Sequence, residues 1–288
     1  MVYFMLYITL IKRLLIIFQI ILPIFFFLSF SYAKQLNYKT ISNLPQIKDY
    51  IGNFNKKDLV VFDIDGVIIT PTDKILKSSN REIRHSYFNK LEQELGKEQF
   101  LNLFEKIVIQ LNAEFVEEKF PEFFYHIKSY GSKVIALTLM GPNNPYIDQE
   151  KDRVHLLRKM GIIFDDIYKN SNIVLENNKD RPQPLAISGI LFSRGYNKGK
   201  VLSKLLNNIA FKPNRIIFID DKIEHAQSFN ANFQQSNIKV FSFLYNPVQM
   251  NQEINQCVVD KQFDWAKRHS IWLSDRQAYI LCNEDNEH

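Results

Sequence analysis

The chain has 288 residues, of which 46% are hydrophobic and 23% are charged, and it contains only nine glycines. This composition is typical of a globular protein and excludes the fibrous and the intrinsically disordered classes. The formal net charge is +5, and +3 remains without Lys12 and Arg13, which lie in the apolar N-terminal segment. A charge so small and so scattered argues against a nucleic-acid partner.

The N-terminal segment has the pattern of an export signal. Lys12 and Arg13 precede the apolar stretch Leu14 to Phe30, and Ser31-Tyr32-Ala33 follows as a small-x-small pattern suited to signal peptidase. We therefore predict a signal peptide at residues 1–33. An uncleaved membrane anchor is the alternative, because the stretch is nearly long enough to span a bilayer. In either case we expect the remainder outside the cytoplasm, periplasmic or secreted, with membrane contact only through an uncleaved segment.

The first predicted buried strand is Leu59 to Phe62, which leads into Asp63-Ile64-Asp65-Gly66. The run is short and rich in β-branched and aromatic residues, which favours a parallel-sheet strand over a helix. Residues two apart on an extended segment point the same way, so Asp63 and Asp65 should face one crevice beyond the strand end. Gly66 would let the backbone turn sharply. An ordinary turn remains an alternative interpretation of this segment alone.

More than 70 residues separate Asp63 from Thr138, at the end of the next predicted strand, which exceeds one ordinary crossover. Within them, Arg81 to Leu95 and Lys97 to Leu111 carry apolar residues at helical spacing. The pattern predicts a small helical insertion at residues 72–116.

Three later segments place polar residues at the end of a predicted strand or at the start of a predicted helix. Val134 to Leu137 is an apolar run that ends in Thr138. Asn197-Lys198-Gly199-Lys200 opens a predicted helix with a cation on either side of a glycine. Arg215 to Ile219 is a third buried-strand pattern, and it ends in the adjacent carboxylates Asp220-Asp221.

Helical segments alternate with these strands, which predicts an α/β fold with a mainly parallel sheet and helices on both faces. The predicted helices cover residues 47–52, 121–130, 148–160, 199–208 and 223–230, and a further strand covers 238–243. Between them, Asn172 to Arg194 contains the apolar runs 173–175 and 190–192 around a polar stretch, which suggests a hairpin or flap beside the site. The main domain would comprise residues 34–71 and 117–255.

The C-terminal part, residues 256–288, is predicted as a helical extension in which Trp265 and Trp272 pack on the main domain. It contains both cysteines, Cys257 and Cys282, and the sequence leaves open whether they form a disulfide or stay as thiols. The histidines lack neighbours at zinc-site spacing, so we assign them no metal role. His225 lies close after Asp221, which leaves a position facing the site as an alternative, but we expect it to face solvent or cap a helix.

In combination, these segments resemble the haloacid dehalogenase-like (HAD) superfamily. Its four motifs are an Asp-x-Asp strand end, a Ser or Thr strand end, a Lys and a terminal acidic pair, and each type occurs here in that order. The resemblance covers roughly residues 42–245. The local sequences LVVFDIDGVI, KVIALT and IIFIDD are similar to exported bacterial members, one group of which has no assigned function. The resemblance implies a HAD-like (Rossmann-like) core with residues 72–116 as a small α-helical cap.

The resemblance also implies catalytic roles for four residues. Asp63 would be the nucleophile that forms an aspartyl-phosphate, and Asp65 would be the general acid and then the general base. Thr138 would bind a phosphate oxygen, and Lys198 would neutralise charge on the phosphate and on Asp63. Lys200 is the alternative to Lys198, but the lysine before the glycine matches the family better.

The expected cofactor is Mg²⁺, because a carboxylate and a phosphate repel each other unless a cation lies between them. The ligands implied are Asp63, the backbone carbonyl of Asp65, and Asp221 or Asp220, with Asp221 favoured as the inner ligand. A carboxylate at Asp65 favours phosphatase over dehalogenase chemistry within the superfamily.

The resulting expectation is an exported phosphatase, a phosphoric monoester hydrolase that acts on small phosphorylated substrates. Transfer of the phosphoryl group to an acceptor alcohol is one alternative. A secreted binding or effector protein that keeps the HAD shell without turnover is the other.

Overall fold

The computed structural model describes residues 38–141, 149–168, 170–175, 182–247 and 253–284. Residues 1–33, predicted as a signal peptide or anchor, lie outside the described residues. Among the helices of the described part, none has the length and apolar character needed to cross a membrane.

The strands are short. They are β1 (Lys39–Ile41), β2 (Asp58–Phe62), β3 (Ile69–Pro71), β4 (Ala113–Phe115), β5 (Lys133–Thr138), β6 (Ser171–Asn172), β7 (Leu185–Ile187), β8 (Ile190–Phe192), β9 (Arg215–Asp220) and β10 (Lys239–Tyr245). Five of them, β2, β5, β8, β9 and β10, follow apolar runs that the sequence marks, whereas β1, β3, β4, β6 and β7 were not predicted.

Seven helices fall between these strands and two follow β10 in the described part of the chain. They are α1 (Ile47–Ile51), α2 (Arg81–Leu95), α3 (Lys97–Val108), α4 (Phe120–Ser129), α5 (Gln149–Lys159), α6 (Lys198–Asn207), α7 (Ile223–Phe229), α8 (Gln256–His269) and α9 (Asp275–Glu284), with short 3-10 turns at Leu44–Gln46, Lys74–Leu76, Ser78–Asn80 and Asn230–Phe233.

A mostly parallel sheet forms the centre of the fold, as the sequence predicts. Its order is β1, β10, β9, β2, β5, β8, β7, β6, and among these described strands only β7 runs in the opposite direction, antiparallel to both β8 and β6. Alternate residues of β2 face opposite sides of the sheet, and both sides are buried, which explains why the strand is apolar throughout. Val60 and Phe62 pack in a cluster with α1, α4 and α5, whereas Leu59 and Val61 pack in a second cluster with α6 and α7. Helices therefore cover both faces of the sheet.

The register of the three central strands brings the polar motif residues to one edge. Phe62 of β2 pairs with Ala136 of β5 and with Ile219 of β9. Asp63, Thr138 and Asp220 come at or just after these paired positions. Parallel strands end at the same edge of a sheet, so the three residues lie together at that edge.

The predicted insertion leaves and rejoins the main domain through a two-stranded ribbon, in which β3 pairs antiparallel with β4. Helices α2 and α3 lie between these strands, within the predicted range. They pack with the C-terminal helix α8 around Leu91, Leu103, Phe263 and Trp272.

The prediction that both tryptophans pack on the main domain is wrong. Trp272 belongs to the core of the inserted helices, and its indole N–H donates to buried Asp73 at 2.9 Å, while Trp265 packs in a small cluster around the C-terminal helices. The two cysteines form a disulfide that links α8 to α9, with the Cα atoms of Cys257 and Cys282 6.1 Å apart.

The hairpin in the second excursion differs from the prediction. It joins β7 to β8 through Ser188-Gly189, and β8 lies beside β5 in the main sheet instead of forming a flap. Residues 173–175 do not form a strand; the short strand that pairs with β7 is β6. An apolar run alone does not distinguish a strand from irregular chain, and Val174 in this run is exposed.

Candidate functional site

Asp63 and Asp65 line one cavity of about 530 Å³ at the carboxyl edge of the sheet, which we call the acidic cavity. Asp63 follows β2 directly, and its backbone N–H donates to the carbonyl of Ile219 at 2.9 Å. Its side chain is buried, whereas the carboxylate of Asp65 is 54% exposed. The two carboxylates thus share one crevice but differ strongly in their access to water.

Gly66 makes the turn after these carboxylates possible. Its φ is +86°, a backbone conformation that L side chains rarely adopt. A Cβ at this position would also lie only 2.6 Å from Oδ2 of Asp221. The glycine is therefore needed both for the turn and for the close approach of the Asp221 carboxylate to the loop.

Lys198, the first residue of α6, is the predicted lysine that reaches the site. Its Nζ lies 2.8 Å from Oδ1 of Asp63 and 2.7 Å from Oδ2 of Asp220, and its side chain is buried. Asn197 caps the helix by accepting from the backbone N–H of Lys200 at 3.0 Å. Lys200 itself is exposed and lines no part of the acidic cavity. One residue turns a helix by about 100°, so two lysines two positions apart leave it in opposite directions.

Asp220 ends β9 and is completely buried among donors. Besides Lys198, it accepts from the backbone N–H of Lys222 at 2.9 Å, and Nδ1 of His225 lies 3.0 Å from its Oδ1. The expectation that His225 faces solvent or caps a helix is therefore wrong. The first turn of α7 brings the imidazole back over the end of β9. The spacing of an acidic residue five positions before the histidine is a signal too weak to have predicted this contact.

Charge compensation within this buried group is uneven. Burial raises the pKa of Asp63 to about 7, although Lys198 opposes the shift. Burial also acts to raise the pKa of Asp220, but Lys198 and His225 outweigh it and hold that pKa below its ordinary value. Burial acts to lower the pKa of Lys198, and the two carboxylates outweigh it and raise the pKa. One ammonium is thus shared by two carboxylates, and Asp63 is the less well compensated of them.

One carboxylate oxygen of Asp221 is buried without a hydrogen-bond partner in the described part of the chain. This oxygen is Oδ1, whereas Oδ2 lies 2.6 Å from Nζ of Lys222. Burial raises the pKa of this carboxyl, and Lys222 only partly opposes the shift. A buried carboxylate oxygen without a partner is costly, and a divalent cation is a ligand that would satisfy it.

The ligand atoms of Asp63, Asp220 and His225 also lie within 4.8 Å of one another. The ammonium of Lys198 already contacts both carboxylates of this group, however, whereas Oδ1 of Asp221 is open. Of the two acidic residues at the end of β9, Asp221 therefore fits a metal ion better, and Asp220 fits a supporting position behind it.

Thr138, the last residue of β5, is buried and lines the acidic cavity. Its Oγ1 accepts from the backbone N–H of Met140 at 3.3 Å. This bond uses an acceptor site of the hydroxyl and leaves its proton able to donate to a ligand. The structure thus brings Asp63, Asp65, Thr138, Lys198 and the Asp220-Asp221 pair together.

Two further features of the site were not predicted from the sequence. Nη1 of Arg153, on α5, donates to Oδ1 of Asp65 at 2.8 Å. The inserted segment contributes Arg81, Phe104 and Val108 to the wall of the acidic cavity. Both depend on contacts between distant segments, since 88 positions separate Arg153 from Asp65.

The fold and site define an α/β protein with an acidic centre at the carboxyl edge of a mostly parallel sheet. Residues 40–279 match the family described as "Protein of unknown function (DUF2608)", and the chain belongs to that family.

Two relatives come from Rickettsia species. The "Uncharacterized protein RP296" of Rickettsia prowazekii (strain Madrid E) is 22% identical over 243 residues, which cover 83% of this chain and 88% of the relative. An "Uncharacterized protein" of Rickettsia felis (strain ATCC VR-1525 / URRWXCal2) is 27% identical over 142 residues, covering 46% of this chain and 48% of the relative. No solved structure matches the chain.

Proposed function

We propose that this protein is a Mg²⁺-dependent phosphatase with a HAD-like fold, which hydrolyses small phosphomonoesters through an aspartyl-phosphate on Asp63. The observation that supports this most is the convergence of the motif side chains on one cavity. The cavity is lined by Asp63, Asp65, Thr138 and Asp221, and the buried Lys198 contacts Asp63 from behind the cavity wall. They come from separate strand and helix ends, and phosphoryl transfer requires these groups together.

The contacts of Asp63 indicate which of its oxygens attacks. Oδ1 is held by Lys198 at 2.8 Å and by the backbone N–H of Ile64 at 2.8 Å. Oδ2 is therefore the oxygen that forms the bond to phosphorus, while the bond from phosphorus to the leaving oxygen breaks. Lys198 holds the carboxylate in place and offsets the charge that reaches it. Thr138 donates its hydroxyl proton to a phosphate oxygen.

Asp65 is the group in this cavity that moves protons. It gives a proton to the leaving alcohol in the first step. It then accepts a proton from the water that attacks the phosphorus of the aspartyl-phosphate, which releases phosphate and restores Asp63. Its exposure suits both steps, since alcohol and water must reach the same carboxyl group.

The donor set fits Mg²⁺. Asp63, the backbone carbonyl of Asp65 and Asp221 would hold the ion, with Asp220 behind them, and the unpartnered Oδ1 of Asp221 is the observation that supports this assignment. When bound, the ion would reduce the repulsion between the carboxylate of Asp63 and the phosphate.

The insertion is proposed to act as the cap of a HAD-like fold. Its side chains Arg81, Phe104 and Val108 line the cavity opposite the strand ends, so a substrate there would lie between the main domain and the insertion. Because Trp272 and Phe263 of the C-terminal part pack into the same core, this cap would be built from two distant parts of the chain.

Export is part of the proposal. The disulfide between Cys257 and Cys282 supports it, because disulfides persist in oxidising compartments outside the cytoplasm. The N-terminal residues 1–33 would supply the signal or the anchor.

The test is release of phosphate from p-nitrophenyl phosphate and a panel of metabolite phosphomonoesters, with Mg²⁺ and with EDTA. We expect turnover that EDTA removes and that Asp63→Asn abolishes. Asp65→Asn should lower kcat by about 10²- to 10⁴-fold. Asp49→Asn is the matched control, because Asp49 is an exposed carboxylate of α1 that lines no part of the acidic cavity.

The alternatives correspond to other outcomes. A phosphorylated product formed when glycerol is added would indicate a phosphotransferase. Absence of turnover by folded protein over the whole panel would refute the phosphatase and leave a binding or effector protein.

A further inference from the structure

Arg153 forms an ion pair with the residue that we propose as the general acid. Nη1 of Arg153 lies 2.8 Å from Oδ1 of Asp65, and the Arg153 side chain is only 16% exposed. This bond uses one of the several N–H donors of the guanidinium. In the proposed reaction Asp65 must face the leaving group, and the ion pair with Arg153 competes with that orientation. We therefore ask which feature of a substrate would release Asp65 from Arg153.

The position of Arg153 is determined by the anchoring of α5. Val154 and Leu157 on this helix pack in the core beneath the sheet. In its first turn, Glu150 is buried and accepts two hydrogen bonds from Arg194, at 2.7 and 2.6 Å. A bidentate pair of this kind restricts orientation strongly. The guanidinium of Arg153 therefore projects from a fixed helix.

Arg153 lines a second cavity of about 530 Å³, which we call the Arg153 cavity. It adjoins the acidic cavity, because Asp65, Val108, Met140 and Gln149 line both. Its charged or titratable groups are Asp65, Asp152, Arg153, His155 and Lys159.

The Arg153 cavity lies on the leaving-group side of the proposed reaction. The leaving oxygen must be near Asp65 to receive its proton, and Asp65 forms the shared wall. The remainder of the leaving alcohol would then extend into the Arg153 cavity. Of the two cations that line it, Arg153 is the one that directly contacts Asp65.

We propose that Arg153 selects phosphomonoesters whose leaving alcohol carries a second anionic group, a carboxylate or a phosphate. This inference rests on the proposed phosphatase. A guanidinium recognises such groups through paired, charge-assisted hydrogen bonds. The substrate anion replaces Asp65 as the partner of Arg153, and Asp65 is released to face the leaving oxygen. A neutral alcohol leaves the ion pair intact.

Matched substrates test this inference with the full chain. The leaving alcohol of 3-phosphoglycerate carries a carboxylate where that of glycerol 3-phosphate carries a neutral hydroxymethyl group. Fructose 1,6-bisphosphate against fructose 1-phosphate tests a second phosphate in the same way. We expect a higher kcat/KM for the more anionic member of at least one pair, and the pair that shows it identifies the group.

Arg153→Gln should lower kcat/KM for the preferred anionic substrate by about ten- to a hundredfold, and change it much less for its neutral counterpart. Arg153→Lys keeps the charge but not the paired geometry and should restore part of the preference. Arg158→Gln is the control, because Arg158 lies on the same helix, donates to Oγ of Ser188 at 3.0 Å and lines neither cavity.

Binding of the same compounds, measured by calorimetry, separates this inference from the phosphatase. Turnover with equal kcat/KM for both members of each pair would overturn the inference and leave the phosphatase standing. A binding preference that Arg153→Gln removes, without any turnover, would support the recognition by Arg153 and refute the phosphatase. Absence of both binding and turnover in folded protein would overturn both.

Discussion

Removal of the buried ammonium at Lys198 should destabilise the fold far more than removal of its neighbour Lys200. In Lys198→Met the side-chain volume is nearly kept, but Asp63 and Asp220 lose the cation that lies 2.8 and 2.7 Å from their oxygens. Both carboxylates are buried, so water cannot replace it. Breaking a buried pair in this way costs about 3–5 kcal/mol.

The loss of stability in Lys198→Met should depend on pH, because a protonated carboxyl group is neutral and no longer needs the missing ammonium. The pKa of Asp63 is already raised to about 7 with Lys198 present, chiefly by burial. Without the ammonium its pKa should rise further, so the folded variant takes up a proton that the unfolded chain lacks near neutral pH. When the pKa of a group is higher in the folded state than in the unfolded state, the folded state is most stable at pH values below the unfolded pKa. This stability is lost as the pH rises towards the folded pKa.

Asp63 is protonated below about pH 7 in both proteins, so its share of the deficit grows above that pH. Lys198 also holds the pKa of Asp220 below its ordinary value, and losing it would raise that pKa and add a share at lower pH. The deficit of Lys198→Met relative to the natural protein should therefore grow from about pH 5 to pH 8.

Urea denaturation in EDTA, followed by circular dichroism at several pH values, measures this deficit without a bound cation. Lys200→Met is the control, since a substitution at an exposed helical position typically changes stability by less than about 0.5 kcal/mol. Equal deficits for the two variants, or a Lys198→Met deficit that does not change with pH, would refute the argument.

Three further changes test other parts of the structure. Gly66→Ala should abolish turnover, because its Cβ would meet the Asp221 carboxylate at 2.6 Å and its φ of +86° is strained; full activity would contradict this reading of the turn. Replacement of both cysteines by serine should lower the free energy of unfolding by about 3 kcal/mol, and no shift in the urea midpoint would show that the disulfide adds nothing. Trp272→Phe should cost about 1–3 kcal/mol, because buried Asp73 loses a donor at 2.9 Å; an unchanged midpoint in denaturation would show that this bond is dispensable.

The patterns that predicted correctly are local ones. The apolar runs of β2, β5 and β9 follow from strand-length stretches of residues that fit a sheet buried on both faces. The polar residues at their ends then share an edge simply because parallel strands in register end together. The placement of Asp63, Thr138 and Asp220 at one edge of the sheet therefore needed no knowledge of the other side chains.

The patterns that failed concern contacts between distant segments. The apolar run at residues 173–175 does not form a strand, and its sequence does not show that distant neighbours bury Ile173 while Val174 is exposed. Trp272 was assigned to the wrong partner for the same reason, since an aromatic residue predicts burial but not the surface that covers it.

By itself, the sequence determined the α/β class, the positions of the central strands and of most helices, and the residue types at the strand ends. These follow from hydrophobic periodicity and turn chemistry, which act over a few residues. Only the tertiary structure decided that Lys198 and not Lys200 bonds Asp63, that His225 turns back onto Asp220, and that Arg153 pairs with Asp65. Such contacts depend on how helices pack against the sheet, a balance of burial and geometry that no short stretch of sequence contains.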